Sequence, residues 1–325
     1  MKKRFKGIFW LTILALALTL PRVAVPLPAE AKVKIVTTST DLASIARLIG
    51  GDKVEVESII QGYQNPHYVD IKPSYMIKLH KADMFVKVGL DLELWSPVIA
   101  EGARNSRILA GGPGYVDASV GAEIMEIPQT KITRELGDIH IFGNPHYWLD
   151  PENSKVIADN ILQGLKRIAP EGHAYFEERK AEFDKRVDEL LPKWLEKMRP
   201  YKGTKVVTYH NSWPNFLNRF GLVAAGYVEP KPGVPPSPAH VTSLIDKIRH
   251  EDIKVVIQEP FYETKISQFV ADKSGARLLI LTPSVLGAEG VNDYFSLFDY
   301  LINSLISAFQ EAGIKPNPGG GAPGL

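Results

Sequence analysis

The stretch Thr204-Lys-Val-Val-Thr-Tyr-His210-Asn-Ser-Trp213 decides the fold. Val206-Val207-Thr208 is a β-branched run of the kind that fills a buried parallel strand. It ends in His210, and a turn leads into a helix. The carboxyl end of such a strand is where open α/β sheets present ligands. Two more histidines stand in similar junctions, Asn65-Pro66-His67-Tyr68 and Asn144-Pro145-His146-Tyr147. A further strand pattern over 254–258 delivers Glu259-Pro260. These junctions are expected to converge on one metal ion between two lobes.

Outward from this stretch, strand and helix patterns alternate in both directions, as in βα units that build parallel sheets. Toward the C-terminus, strands are expected over 204–209, 222–228, 254–258 and 277–281, and helices over 213–220, 239–250, 262–274 and 293–308. Toward the N-terminus, strands are expected over 33–38, 54–60, 84–88 and 107–110, with helices over 41–49, 73–81 and 92–101. Residues 111–142 are rich in Gly and Pro and read as loop. Asp150-Pro151-Glu152 then opens a helix through residue 168, with a capping side chain and proline in first position. Between the two series, 171–198 is the longest helical pattern, bounded by Pro170 and Pro200. Phe176, Phe183, Val187, Leu191 and Trp194 form its apolar stripe. It reads as a spine joining two lobes, or else as a peripheral helix of one domain; the fresh βα series that follows it favours the spine. The expected organisation is an N-terminal lobe over 32–170, a linking helix over 171–199, a C-terminal lobe over 200–314 and a disordered tail over 315–325.

The first 31 residues read as a cleaved secretory leader: Met1 to Lys6 is basic, 7–20 is apolar, and Ala29-Glu30-Ala31 has the small-x-small pattern. An uncleaved anchor is the alternative, but the apolar run falls short of the roughly 20 residues that span a bilayer. The mature protein is then expected in the periplasm. A net charge of +1 gives no reason to expect nucleic acid as a partner. With no cysteine in the 325 residues, disulfides, thiolate metal sites and Cys nucleophiles are excluded.

Among the eight histidines, His80, His173 and His250 lie among charged residues of helical patterns and read as solvated. His240, at a helix start, reads as a capping or packing residue. His140, in the loop stretch, is either a loop residue or an auxiliary ligand. His67, His146 and His210 stand apart because each falls where a strand or loop hands over to a helix. In the repeated Asn-Pro-His-Tyr, proline restricts the backbone on either side and aims the imidazole. Three imidazoles suit Zn²⁺, at about 2.0–2.1 Å per nitrogen. No compact HExxH or CxxC motif fixes such a site, and three histidines with an open position also describe a secreted zinc-dependent hydrolase in which Glu259 serves as base.

At these residues the chain resembles the metal-binding substrate-binding proteins of ABC importers for zinc and manganese, the cluster A-I or zinc-uptake/TroA-like family. The similarity spans about residues 33–309. It is carried by Asn65-Pro-His-Tyr-Val-Asp-Ile-Lys-Pro-Ser74, Lys81-Ala-Asp-Met-Phe-Val-Lys-Val-Gly-Leu-Asp-Leu-Glu-Leu-Trp95, Asn144-Pro-His-Tyr-Trp-Leu-Asp-Pro-Glu-Asn153 and Pro236-Ser-Pro-Ala-His240. The resemblance implies an α/β fold of two βα lobes with parallel sheets, joined by one long spine helix, with the metal in the interlobe cleft. It implies capture of a divalent metal ion as transported ligand and its delivery to the membrane subunit of an ABC permease, without catalysis and as a monomer. His67 and His146 would be the ligands of the first lobe and His210 that of the second. Histidine rather than carboxylate at 210 favours Zn²⁺, with Mn²⁺ or iron as alternatives. The family often places an aspartate after the last strand. Here Leu281-Thr-Pro-Ser284 puts Pro283 there, which cannot ligate. Glu259 is the expected fourth ligand, or else a carboxylate that orients a histidine; Glu289, Asp293 and water are the other options. The His-rich loop of many zinc relatives is lacking, since 111–142 carries only His140.

Overall fold

The computed structural model describes residues 31–129 and 140–317. The expected leader up to residue 30 and the tail from 318 onward lie outside the described residues. Strands β1 (Val33–Thr37), β2 (Val54–Ser58), β3 (Met84–Lys87) and β4 (Tyr115–Asp117) form one parallel sheet in the order β2-β1-β3-β4. Strands β5 (Lys205–Thr208), β6 (Val223–Tyr227), β7 (Val255–Gln258) and β8 (Arg277–Ile280) form a second in the order β6-β5-β7-β8. The two orders are the same. In each lobe the chain steps from the first strand to one side, then crosses to the other, so the topological switch point lies between the first and third strands.

Helices α1 (Thr40–Gly50), α2 (Pro73–His80), α3 (Ser96–Gly102) and α4 (Pro151–Ile168) belong to the first lobe. Helices α6 (Pro214–Phe220), α7 (Pro238–His250), α8 (Lys265–Ser274) and α9 (Tyr294–Glu311) belong to the second. Between them runs α5 (His173–Met198), whose Phe176, Phe183, Val187, Leu191 and Trp194 are buried. Pro192 lies inside α5 and removes one internal hydrogen bond there. Among the described residues no helix is long and apolar enough to cross a membrane.

Strand alternation sorts the core. Ile35, Met84 and Val86 of one sheet and Val206, Val255 and Ile257 of the other join α1, α4, α5, α6 and α9 in one continuous apolar cluster. The intervening Val36 and Phe85 face a second cluster with α2 and α3, and Val207 and Val256 a third with α7 and α8. The main core therefore runs through both lobes, and α5 packs on α1, α4 and α9 within it.

Two expectations are corrected. Residues 107–110 are not a strand: Ser106–Ile108 is a 3-10 turn, opened by Asn105, whose side chain donates to the carbonyls of Leu79 (3.0 Å) and Ala82 (2.8 Å). The fourth strand is Tyr115–Asp117, within the stretch read as loop. The third helix starts at Ser96 rather than Leu92: residues 91–95 form turns, and Pro97, which would break a helix begun at 92, fits the first turn of one begun at 96.

Candidate metal centre

The repeated Asn-Pro-His builds the same turn twice. Asn65 Oδ1 accepts the His67 amide at 3.0 Å, and Asn144 Oδ1 accepts the His146 amide at 3.0 Å. This local side-chain-to-backbone bond competes with regular structure and fixes each ring's base. The loop after β2 carries His67 and is held by the Trp95 indole N–H, which donates to Pro66 O at 2.9 Å. His210 comes directly off β5, at the switch point of the second sheet. The three side chains meet across the lobes: one ligand atom from each lies within 4.8 Å of the others. His67 Nε2 and His146 Nε2 are 3.2 Å apart. Two nitrogens on one tetrahedral zinc, each at about 2.05 Å, stand about 3.3 Å apart, so this spacing already matches two ligands of one ion.

Hydrogen bonds set the tautomers. His146 Nδ1 meets Asn144 Oδ1 at 3.0 Å and His210 Nδ1 meets Glu229 Oε2 at 2.5 Å. Since those oxygens accept, the proton sits on Nδ1, and Nε2 presents its lone pair. Burial pushes the pKa of His67 well down, with His210 and His140 adding to the effect. Burial does the same to His146, aided by His67, His210 and His140. Both rings are therefore held neutral, the form that ligates. A cavity of about 350 Å³ opens beside them, lined by Glu126, His140, Tyr227 and Glu229 among others.

Of the other candidates, His140 lines the same cavity as His146 and His210, and Glu259 lies near enough to His210 for their charges to interact. Glu259 is not one of the three side chains that could share an ion among the described residues. It is fully buried at the end of β7, where its Oε1 accepts the Trp213 indole N–H at 2.9 Å. Burial raises its pKa, and the neighbouring His210 opposes that shift. Asp293 is committed to the capping box of α9, Glu289 is exposed, and Pro283 offers a carbonyl to the Trp148 indole at 3.1 Å. His140 has its ring centroid 5.2 Å from that of His67. His240 Nε2 reaches Tyr227 O at 2.9 Å, and the N-cap of its helix is Ser237. His80 and His250 are exposed; His173 is half-buried, with Nε2 2.7 Å from Lys166 O.

Glu229 escaped the reading of the sequence. The signal was there: Val228-Glu229-Pro230 has the same strand-Glu-Pro form as Gln258-Glu259-Pro260.

Comparison with known proteins places this architecture. The family model "ZnuA: Zinc-uptake complex component A periplasmic" matches residues 35–308. The high-affinity zinc uptake system protein ZnuA of Brucella abortus (strain 2308) is 32% identical over 166 residues, covering 51% of this chain and 49% of that protein. The match thus spans about half the length of that relative. The manganese ABC transporter substrate-binding lipoprotein PsaA of Streptococcus pneumoniae serotype 4 is 24% identical over 283 residues, 84% of this chain and 87% of its own. Among solved structures, a zinc-bound ZnuA deletion mutant superposes with a TM-score of 0.72 at 23% identity, covering 85% of this chain and 98% of that one. A manganese-bound periplasmic metal-binding protein from candidatus Liberibacter asiaticus gives 0.68 at 18%, covering 85% and 99%. At those identities the structures speak for the fold. With the family model matched from the first strand to the last helix, the chain belongs to the ZnuA family of periplasmic zinc-uptake components.

Proposed function

We propose that this protein captures a divalent transition metal ion, Zn²⁺ above all, outside the cytoplasm and delivers it to the membrane subunit of an ABC permease. The observation that carries the reading is the meeting of His67, His146 and His210, with ligand atoms within 4.8 Å of one another. In this reading the three imidazoles bind the ion directly, and a water or a neighbouring carboxylate completes the tetrahedron. Glu259, hydrogen-bonded to Trp213, braces the wall behind His210. Burial holds His67 and His146 neutral, and acceptors on Nδ1 preset the tautomers of His146 and His210, which lowers the cost of binding. The ion is cargo, so the site binds and releases without turning anything over. The leader is removed on export, and the mature monomer works in the periplasm.

Manganese is the second reading, favoured by the PsaA match over 84% of the chain. Against it, three imidazoles suit zinc better than the oxygen-preferring Mn²⁺. Calorimetric titration of the purified protein with each ion decides. The expected outcome is one Zn²⁺ bound per chain, more tightly than Mn²⁺. His210→Ala is expected to weaken zinc by more than about a hundredfold, beyond the usual effect of outer partners. Unchanged zinc affinity in that variant would overturn the ligand assignment. Ester or peptide turnover abolished by Glu259→Gln would replace transport with hydrolysis.

A further inference from the structure

The segment after β4 straps the two lobes together beside the imidazoles. On the first lobe, Glu123 N donates to Asn153 Oδ1 at 2.8 Å, Asn153 Nδ2 returns to Glu123 O at 3.1 Å, and Asn144 N donates to Met125 O at 2.8 Å. On the second lobe, Asn215 Nδ2 of α6 donates to Glu123 O at 3.4 Å. Glu126 joins both sides: its Oε2 accepts from Asn144 Nδ2 at 3.0 Å and from Asn211 Nδ2 at 2.7 Å. Asn144 Nδ2 also donates to Asn211 O at 2.8 Å. Glu126 sits at φ 55°, a region disfavoured for any residue with a Cβ. Such strain persists where surrounding contacts over-determine it, commonly around binding sites.

The two asparagines are not arbitrary partners. Asn144 holds the amide and Nδ1 of His146, and Asn211 directly follows His210. An ionised carboxylate only accepts, so it turns the NH₂ of each asparagine toward itself. In Asn144 this leaves Oδ1 for His146. We propose that Glu126 is a positioning residue for ion binding, a bracket that holds the His146 and His210 loops at a fixed separation across the lobe seam. The inference rests on the metal-capture reading. A fixed separation favours the short, tetrahedral contacts of zinc over the wider oxygen-rich shell of manganese, so the bracket also sets selectivity.

The test uses the full chain loaded with Co²⁺, for its visible bands, and with Zn²⁺, for its release into excess chelator. Glu126→Ala is expected to release zinc about tenfold faster, to shift the Co²⁺ bands and to narrow the preference for Zn²⁺ over Mn²⁺. Because Glu126 is exposed, Tm should hold. Glu126→Gln keeps one accepting oxygen and should restore most of the slow release. Asn211→Ala should also speed release, and the double variant should go no faster than Glu126→Ala. Release within twofold of wild type with unshifted bands overturns the bracket alone. Faster release matched by an equal fall in Tm across all variants also overturns it, as general loosening. If the wild type takes up neither ion, the capture reading falls and takes the bracket with it.

Discussion

An imidazole ligates through a nitrogen that carries no proton, so whatever holds the other nitrogen governs the strength of the bond. At His210 that holder is Glu229, buried, with Oε2 on Nδ1 at 2.5 Å and Oε1 accepting Gly233 N at 3.0 Å. Its negative charge makes the ring a better donor to a cation, and the loop amide keeps the carboxylate from turning away. At His146 the holder is the neutral amide of Asn144. The two rings therefore differ in donor strength. Glu229→Gln preserves an acceptor but removes the charge. Zinc affinity is expected to fall about tenfold, the low end of the range for outer partners of metal ligands. Competition with a chelator of known affinity measures it, and an unchanged value would mean that the carboxylate acts only through packing.

At the scale of elements, α9 shows how a plausible ligand is spent on structure. Asp293 Oδ1 accepts Ser296 N at 2.7 Å while Ser296 Oγ accepts Asp293 N at 2.9 Å, a reciprocal capping box. The helix it starts buries Phe295, Phe298, Leu301, Ile302 and Leu305 in the main core. Asp293→Ala is expected to cost about 1 kcal/mol and lower Tm by about 2–4 °C, with zinc affinity unchanged; a loss of affinity would return Asp293 to the site. The same scale marks how much could be read in the sequence. The β-branched run at Val255 to Gln258 betrayed its strand because both faces are buried, and that at Val33 to Thr37 because its last three residues are. Tyr115–Asp117 did not, being three residues among glycines, paired by β3 rather than by its own pattern. Asn-Pro-His exposed two ligand candidates because its turn is local. Choosing between Glu229 and Glu259 was beyond pattern: β5 lies between β6 and β7, so both strand-Glu-Pro corners border His210. Which carboxylate reaches the ring depends on loop geometry formed only when the sheet assembles.

Across the whole molecule, the lobes meet through polar clasps as well as through the shared core. Asp150 takes Arg219 in a two-toothed pair at 2.7 Å each, and the Tyr294 hydroxyl donates to Trp148 O at 2.5 Å. Gly62 packs so closely on the 285–287 turn that an added Cβ would lie 2.1 Å from Val285 O. Beside it Asp41, at the start of α1, accepts Val285 N on Oδ1 at 2.9 Å, while its buried Oδ2 has no hydrogen-bond partner. Acting on this carboxyl are its burial, the amides of Val285 and Asp41, and the hydroxyls of Ser284 and Ser39; from α9 the Tyr294 phenol feels its charge. Burial dominates and pushes its pKa up to about 7. The folded value thus lies above the unfolded value of about 3.9. Asp41 therefore favours the fold fully below about pH 4, and that contribution is lost as pH rises through about 7. The span is on the order of 4 kcal/mol at most. Asp41→Asn keeps the acceptor for Val285 and cannot ionise. Its cost from an unpaired amide is the same at every pH, so only the ionisation changes the comparison. In metal-free protein, the Tm of the variant minus that of wild type is expected to climb from pH 5 and level off above about pH 7, as measured by calorimetry at matched ionic strength. A difference that stays flat over that range would mean that Asp41 is already ionised at pH 5, with water admitted to the seam between the lobes.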